Sequence, residues 1–440
     1  RAARRALTAN ALQDALTLAE RALAFSHDKP VAFRRALYLD ESWSRLDPRA
    51  SDRESAVSAL EENVYDEASA VRARGARARY DDARGAGENV SERLGEVCDS
   101  AEALGLHEEV ARCAACLAAR HAFAGHFDAA ERQATRLLAL AESQNVKGAA
   151  VDGYQTLAVV RQTQGALIRA LDSRRNAVAA ARAAGLKERE AVLMTNLGFA
   201  LTTLGARQEA RSALEAGLAL AEAIGSAGAV RHARMNLLGW ASVFGTDREL
   251  DVQLAEVRAD ADAAAAEIWT APDRANLGTL FYRGVELLRA PDAPSATRAA
   301  QLLRTAATGY RQMGHHDVLP AALGAWAEAE RLCHRTDAAV ALAREAAELL
   351  DGDAPSLLNE SIVYLAWQRA LSAAGDEEAA REAVVRGLRP LRRRLDGLLG
   401  TPYARQFLTE LPTNADLIAA LERFDALPED LQELLARAPG

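Results

Sequence analysis

Thiols and imidazoles are the side chains of this sequence best suited to metal or redox chemistry. Cys113 and Cys116 are spaced as C-x-x-C, and His315-His316-Asp317 groups three possible ligands. A metal site normally needs a second pair of ligands at similar spacing. A redox-active C-x-x-C pair normally lies at a strand-to-helix turn. Both cysteines instead fall within a helical pattern, where cysteine is a small apolar residue. We therefore expect no metal site and no cofactor, and we expect the histidines in a solvent-exposed loop.

Motifs for covalent or phosphoryl chemistry are not identifiable in the sequence. It carries no glycine-rich phosphate loop with lysine, no kinase catalytic-loop motif, and no recognisable Ser-His-Asp or paired-carboxylate set. The run from Arg389 to Arg394 has two interpretations, a contact with phosphate or an acidic partner and a solvated helix face, and we favour the second. This chain is therefore not expected to be an enzyme.

Charge and cysteine usage restrict the partners and the compartment. The net charge of -9 argues against a nucleic-acid partner. Four scattered cysteines in 440 residues favour a reducing cytoplasm over a disulfide framework. No apolar run approaches the ~18–20 residues that span a bilayer, so no membrane association is expected. The sequence begins at Arg1, already within an amphipathic pattern, which suggests a piece of a larger protein.

Glycine spacing identifies the elements that must position any functional side chain. Two series, each with a forty-residue step, alternate along the chain: Gly85, Gly125, Gly165, Gly205 and Gly245, and Gly105, Asn145, Gly185 and Gly225. Glycine and asparagine take the left-handed conformation that ends helices, so the two series mark two helix ends per repeat. Leucines at helical spacing fill the intervals. The pattern predicts an all-α, right-handed superhelical solenoid of antiparallel helix hairpins with a repeat of about forty residues.

The repeat pattern divides the chain into three parts. Residues 1–29 are predicted to be a leading helix of a truncated upstream repeat. Residues 30–400 are predicted to form about nine hairpins, the first with Ser51 and Glu54 spaced as a capping box. From about residue 401 short helices punctuated by Pro412 and Pro428 predict a C-terminal helical cap over residues 401–440.

The sequence resembles the tetratricopeptide repeat family. The residues that carry the resemblance are Leu197, Gly198, Leu201, Gly205, Ala210 and Leu214, with leucine where the family often has an aromatic residue. The forty-residue length is similar to the long repeats of MalT-type transcription regulators and kinesin light chains. The tail from Tyr403 to Asn414 is similar to the closing segment of large bacterial signalling proteins, in which such repeats follow a serine/threonine kinase or a signal-transduction ATPase module.

The resemblance implies where a partner would bind. In tetratricopeptide proteins the first helices line the concave surface, where asparagine amides hold an extended peptide. An amide suits this because it offers donors and an acceptor. Asn196, Asn236 and Asn276 recur at this forty-residue step, and the alternative is that they cap or bridge adjacent helices. By the same register, further residues are predicted to face the groove: Asp152, Gln155, Gln162, Thr195, Phe199, Thr202, His232 and Met235.

Two functions follow as expectations. The first is a bacterial protein-interaction or sensor solenoid that binds a peptide or protein partner in its groove, or regulates its parent's own catalytic domain. The alternative is a small-ligand-sensing regulatory domain of a MalT-like signal-transduction ATPase. A peptide site is expected to be open and polar over several repeats, whereas a small-ligand site is expected to be one deep, localised pocket.

Overall fold

The computed structural model describes residues 12–26, 28–46, 50–85, 89–264, 274–290, 292–351, 356 and 358–436. Within these ranges the chain forms α-helices and no β-strand. In chain order the helices are α1 (Leu12–Ala24), α2 (Lys29–Leu46), α3 (Arg53–Glu62), α4 (Glu67–Arg84), α5 (Val90–Ala103), α6 (His107–Phe123), α7 (Phe127–Gln144), α8 (Ala149–Thr163), α9 (Leu167–Ala183), α10 (Lys187–Thr203), α11 (Arg207–Ala223), α12 (Ala227–Phe244), α13 (Arg248–Ala264), α14 (Arg274–Leu287), α15 (Ala293–Gln312), α16 (Leu319–Leu332), α17 (Thr336–Asp351), α18 (Ser361–Ala373), α19 (Glu377–Asp396), α20 (Tyr403–Thr409), α21 (Pro412–Arg423) and α22 (Glu429–Ala436).

The structure confirms that the two glycine series mark the ends of helices. All nine residues of the two series have positive φ, including Asn145 at 51° and Gly205 at 77°. Each follows a helix directly or within two residues, because a residue with positive φ turns the chain out of the helix and lets the next one pack back on it. The result is an all-α solenoid of consecutive helix hairpins, built as α6 with α7, α8 with α9, α10 with α11, and onward.

The capping box predicted at Ser51 and Glu54 is wrong. Asp52 occupies the N-cap of α3, and its side chain makes no capping bond. The Glu54 carboxylate instead accepts a hydrogen bond at 2.6 Å from Arg77 on α4. A capping box forms one helix later, where the Asp66 side chain accepts from the Ser69 amide and the Ser69 hydroxyl accepts from the Asp66 amide. An arginine on a neighbouring helix therefore overrides the local signal at Glu54.

The solenoid packs as two compact units. One comprises Arg1–Val160 with Asn176–Glu188, and the other comprises Arg161–Arg175 with Arg189–Gly440. In the first unit, a core of small and branched residues, including Leu94, Val97 and Leu117, joins α5 to α6 and α7. In the second unit, which we call the C-terminal unit, one continuous hydrophobic cluster runs from Leu167 to Leu431.

The two ends of the C-terminal unit are in contact. The backbone of Gly397 lies so close to the carbonyl of Gly165 that a Cβ added at Gly397 would be 2.5 Å from that oxygen. A Cβ added at Gly205 would lie 2.5 Å from the carbonyl oxygen of Gln406. The Tyr403 hydroxyl also donates to Glu209 at 3.1 Å. The C-terminal cap, helices α20 to α22, therefore folds back onto the first turns of this unit.

Candidate functional site

A cavity of about 260 Å³ lies in the C-terminal unit. Its wall is built from the first helices of five successive hairpins, α10, α12, α14, α16 and α18, and α21 of the C-terminal cap contributes the remaining side. The lining residues are Phe199, Thr202, Thr203, Asn236, Gly239, Trp240, Ser242, Val243, Phe281, Tyr282, Val285, Leu288, Arg289, Ala321, Ala325, Glu328, Leu358, Asn359, Ile362, Leu365, Ala366, Arg369, Leu411, Pro412, Thr413 and Asp416.

Register explains why these side chains meet. Thr202, Ser242 and Tyr282 are forty residues apart, and so are Thr203 and Val243. Equivalent positions of stacked repeats lie on the same face, so each repeat contributes to one inner wall. Aromatic rings cover the part built by α10, α12 and α14, where the Phe281 and Tyr282 ring centroids are 5.3 Å apart. This part of the wall is therefore largely aromatic, with hydroxyl and amide side chains between the rings.

Charged side chains form a chain of ion pairs on the opposite wall. Arg369 on α18 donates to Glu328 on α16 at 3.3 Å and to Asp416 on α21 at 2.6 Å. Glu328 also accepts two hydrogen bonds from Arg331, at 2.8 and 2.9 Å. The three wall residues thereby link two inner helices to the C-terminal cap.

A buried amide fixes α21 against the wall. Asn414 is fully buried, and its Oδ1 accepts hydrogen bonds at 2.6 Å from both Asn359 Nδ2 and Ser361 Oγ. Its Nδ2 donates to the carbonyl of Phe407 at 2.7 Å, which also ties α20 to α21. Buried polar groups of this kind are costly to leave unpaired, so Asn414 specifies one docked position of the C-terminal cap.

Two of the predicted groove asparagines are joined through a histidine. The Asn196 Oδ1 and His232 Nε2 atoms are 2.9 Å apart, and the Asn236 Nδ2 lies 3.1 Å from the same nitrogen. Asn236 Nδ2 also donates to the His232 carbonyl at 3.1 Å. Burial lowers the pKa of His232 to about 4, so the imidazole is neutral at pH 7. His232 thereby bridges Asn196 on α10 and Asn236 on α12, and Asn276 takes no part in this contact.

The other predicted groove residues are distributed between several environments. Phe199, Thr202 and Asn236 line the cavity. Thr195 is buried and donates to the Val192 carbonyl, and Gln162 is buried and accepts from Arg174 at 2.5 Å. The remaining members are half-buried on α8, α12 and α14, outside the cavity lining, and comprise Asp152, Gln155, Met235 and Asn276.

The cysteines and histidines considered for metal or redox chemistry lie on α6 and in the turn between α15 and α16. Cys113 is fully buried within α6, and Cys116 is half-buried on the same helix. Burial raises the pKa of the Cys116 thiol to about 11. His315 and Asp317 lie between α15 and α16, with Nδ1 and Oδ1 3.7 Å apart. Among the described residues, no group of three or more His, Cys, Asp or Glu side chains could hold a metal ion.

Several residues of the cavity were missed by the sequence analysis. Trp240, Phe281 and Tyr282 could have been found by extending the groove register along α12 and α14. Glu328 and Arg369 carry no such signal, because the first helices no longer keep the forty-residue step here: α14, α16 and α18 end at Leu287, Leu332 and Ala373. Asp416 was assigned to the C-terminal cap, and only the folding back of that segment brings it to the wall.

None of the described helices has the length and apolarity needed to cross a bilayer. No protein-family model matches the chain. No curated protein matches it significantly.

Among solved structures, the chain is similar to the signal transduction ATPase with numerous domains that carries a tetratricopeptide repeat sensor, from Pyrococcus horikoshii. The two are 12% identical with a TM-score of 0.38, over 89% of this chain and 53% of that one. The chain thus spans about half the length of the Pyrococcus protein. It is also similar to a Rap protein complexed with competence and sporulation factor, at 12% identity and a TM-score of 0.33 over 92% of this chain and 91% of that one. A circular tandem repeat protein is similar at 14% identity and a TM-score of 0.16, over 98% and 99% of the two chains. From its own repeat residues and helix hairpins, this chain is a tetratricopeptide-like helical-repeat solenoid.

Proposed function

We propose that this chain is a sensor domain whose C-terminal unit binds a small, largely apolar ligand in the cavity described above. The observation that carries the proposal is one localised, partly open cavity lined by five inner helices and α21. Ligand sites in proteins are concave and mostly apolar, with a few convergent polar groups. The aromatic wall and the polar wall around Arg369 have this composition.

Size and enclosure favour a small ligand over an extended peptide. The cavity volume of about 260 Å³ lies just below the range of roughly 300–1,000 Å³ usual for ligand pockets. Leu411, Pro412 and Thr413 line the cavity together with the inner helices, so the C-terminal cap covers part of the inner surface that an extended peptide would need. The amide of Asn196 is also engaged by His232, which leaves fewer groups to hold a peptide backbone.

The wall chemistry limits the ligand further. Trp240, Phe281 and Tyr282 offer flat apolar surfaces, so a ring or a branched hydrocarbon would fit this side. Glu328, Arg369 and Asp416 together carry one negative charge, and Arg331, which pairs with Glu328, brings this network to neutrality. A ligand with a neutral polar group therefore suits the opposite wall better than a fully charged ligand does.

The test is binding of N-phenyl-1-naphthylamine, an uncharged dye that fluoresces in apolar surroundings. Ala325 lines the cavity on α16, and Ala325→Leu would fill part of its volume. Ala338→Leu makes the same chemical change at an exposed position of α17 and is the matched control. We expect saturable 1:1 binding to the wild type and to the control, and at least a tenfold loss of affinity in Ala325→Leu. Equal dye binding by all three proteins, or none by the wild type, would contradict the proposal.

A protein or peptide partner is the second candidate, and one observation favours it. Asn236 lines the cavity, its Nδ2 is held by His232, and its Oδ1 accepts no hydrogen bond from the described residues. That oxygen could accept a peptide N–H, from a bacterial partner in the cytoplasm or from the parent protein's own catalytic domain. Replacing Asn196, Asn236 and Asn276 together by alanine tests this candidate. It predicts about tenfold weaker partner binding with little loss of stability, whereas structural bridges predict the reverse.

A further inference from the structure

Arg174 on α9 is a buried cation without an anionic partner. The side chain is 7% exposed, and its Nη2 donates to the neutral Gln162 amide at 2.5 Å. Its Nε is buried and has no hydrogen-bond acceptor. In the described part of the chain, no carboxylate forms an ion pair with this guanidinium. Burial lowers the pKa of Arg174 to about 10, in keeping with a charge that nothing nearby compensates.

The repeat register shows that this position normally holds an apolar residue. Stepping forty residues along the second helices gives Leu94, Ala134, Leu214 and Leu254, each fully buried. An arginine in place of a core leucine buries a charge, and a buried charge without a counterion destabilises the fold. Packing alone therefore gives no reason for Arg174, since a leucine would fill the same place in the hairpin.

The guanidinium contacts the layer of residues that forms the inner wall. Gln162, its hydrogen-bond partner on α8, is the register equivalent of Thr202, Ser242 and Tyr282, and all three of those residues line the cavity. Arg174 therefore extends from the second helix to the inner side of its own hairpin. Arginine is the residue whose planar donor set best matches a carboxylate.

We infer that Arg174 and Gln162 form an anion-binding site for a carboxylate group of a ligand or partner. One uncompensated positive charge matches the single negative charge of a carboxylate, whereas a phosphate dianion normally takes several cations or amide donors. This site is independent of the proposed cavity function, because it uses different residues and a different ligand chemistry. Bound carboxylate would supply the counterion that the fold itself does not provide.

The experiment measures the melting temperature of the full chain in sodium acetate and in sodium chloride of equal ionic strength, with inorganic phosphate as a third arm. Arg174→Leu introduces the leucine found at three of the four equivalent positions, and Arg174→Met is a second, unbranched replacement. Arg169→Leu removes one positive charge from an exposed position of the same helix and is the control. We expect a saturable acetate shift of about 2–4 °C in the wild type and the control, and none in either Arg174 variant.

Without acetate, the Arg174 variants are expected to melt at or above the wild-type temperature, because the uncompensated charge is gone. An acetate shift that survives in Arg174→Leu would overturn the proposal. So would lower melting temperatures or failure to fold in both variants, since the guanidinium would then be structural. A larger shift with phosphate than with acetate would overturn the assignment to a carboxylate. Dye binding in the cavity is expected to be unchanged in Arg174→Leu, which separates this proposal from the previous one.

Discussion

His232 makes the stability of this protein depend on pH. Burial lowers its pKa to about 4 from the usual value of 6.5, so the unfolded chain takes up a proton at a higher pH than the folded chain does. The free-energy penalty that His232 imposes on the folded state is close to zero above pH 6.5 and grows as the pH falls towards 4. Between pH 7 and pH 4.5 we expect His232 to cost about 2–3 kcal/mol of unfolding free energy.

Urea unfolding of the wild type and of His232→Gln at both pH values measures this loss. Glutamine retains hydrogen-bonding capacity beside Asn196 but does not titrate, so every other titrating group contributes equally to the two proteins. The variant is expected to lose about 2–3 kcal/mol less than the wild type on acidification. Equal losses in the two proteins would show that His232 is not buried as a neutral imidazole.

The asparagines differ in what each contributes. Asn236 is 5% exposed, donates to the His232 carbonyl and lies 3.1 Å from its ring nitrogen, whereas Asn276 is half-buried outside the cavity. We expect Asn236→Ala to lower the unfolding free energy by about 1–3 kcal/mol, because it leaves buried polar atoms unpaired. Asn276→Ala is the comparison and should change it by no more than about 0.5 kcal/mol. Similar losses in both would mean that the bridge carries no special stability.

Residue types alone indicated part of the site. The forty-residue step of Asn196 and Asn236 predicted that they share a face, because equivalent positions of stacked repeats lie side by side. The step did not predict that His232 joins them, since that contact depends on side-chain rotamers on two helices. The sequence also carried a signal for Arg174. It is the charged residue at a second-helix position where the other repeats have leucine or alanine.

At the scale of elements, the turn after α10 is where the C-terminal cap docks. Gly205 has φ of 77°, and an added Cβ would lie 2.5 Å from the Gln406 carbonyl. Gly225 has φ of 69° and open space around it, so it is the matched control. Gly225→Ala should cost only the left-handed strain of about 1–2 kcal/mol. Gly205→Ala adds a backbone clash, and we expect it to cost clearly more in urea unfolding.

Equal costs at the two glycines would contradict the docking of α20 against this turn. The close approach also explains why no L-residue would fit at Gly205 without moving the cap. At Gly225 the same substitution meets no neighbouring atom, so only the backbone conformation matters.

The variant Asn414→Ala tests whether docking of the C-terminal cap is needed for ligand binding in the cavity. Asn414→Ala removes three hydrogen bonds among buried groups, and we expect it to lower stability by about 2–4 kcal/mol and to weaken dye binding at least tenfold. Thr409→Ala changes an exposed residue of α20 whose hydroxyl bonds only within its own helix, and it should leave both quantities unchanged. Normal dye binding by Asn414→Ala, measured on the folded protein by fluorescence titration, would show that α21 is not part of the site.

Helix ends were predictable from sequence because a positive-φ glycine acts locally, and the structure confirms them from Gly85 to Gly245. The cavity was not predictable, because it requires knowing that α21 returns to α10. About two hundred residues separate Phe199 from Leu411 and Pro412, and no local pattern spans that interval. The capping box at Ser51 failed for a related reason, since Arg77 on the next helix engages Glu54.

At the scale of the whole molecule, the two compact units differ in that the C-terminal unit contains the proposed ligand site. The unit containing α4 to α7 is packed through a core of leucine, valine, alanine and cysteine around Cys98 and Cys113. The C-terminal unit contains the cavity, the cap and Arg174. A ligand that binds only the cavity should stabilise the second unit selectively, because binding energy is added only to the state that holds the ligand.

Hydrogen–deuterium exchange with and without saturating N-phenyl-1-naphthylamine therefore tests the central claim most directly. We predict slower amide exchange in α10, α12, α14, α16, α18 and α21, the helices that line the cavity, and unchanged exchange in α4 to α7. The same measurement on Ala325→Leu at the same dye concentration should show clearly weaker protection of these helices. Protection confined to α4 to α7, or spread evenly over the chain, would contradict a ligand site inside the C-terminal unit.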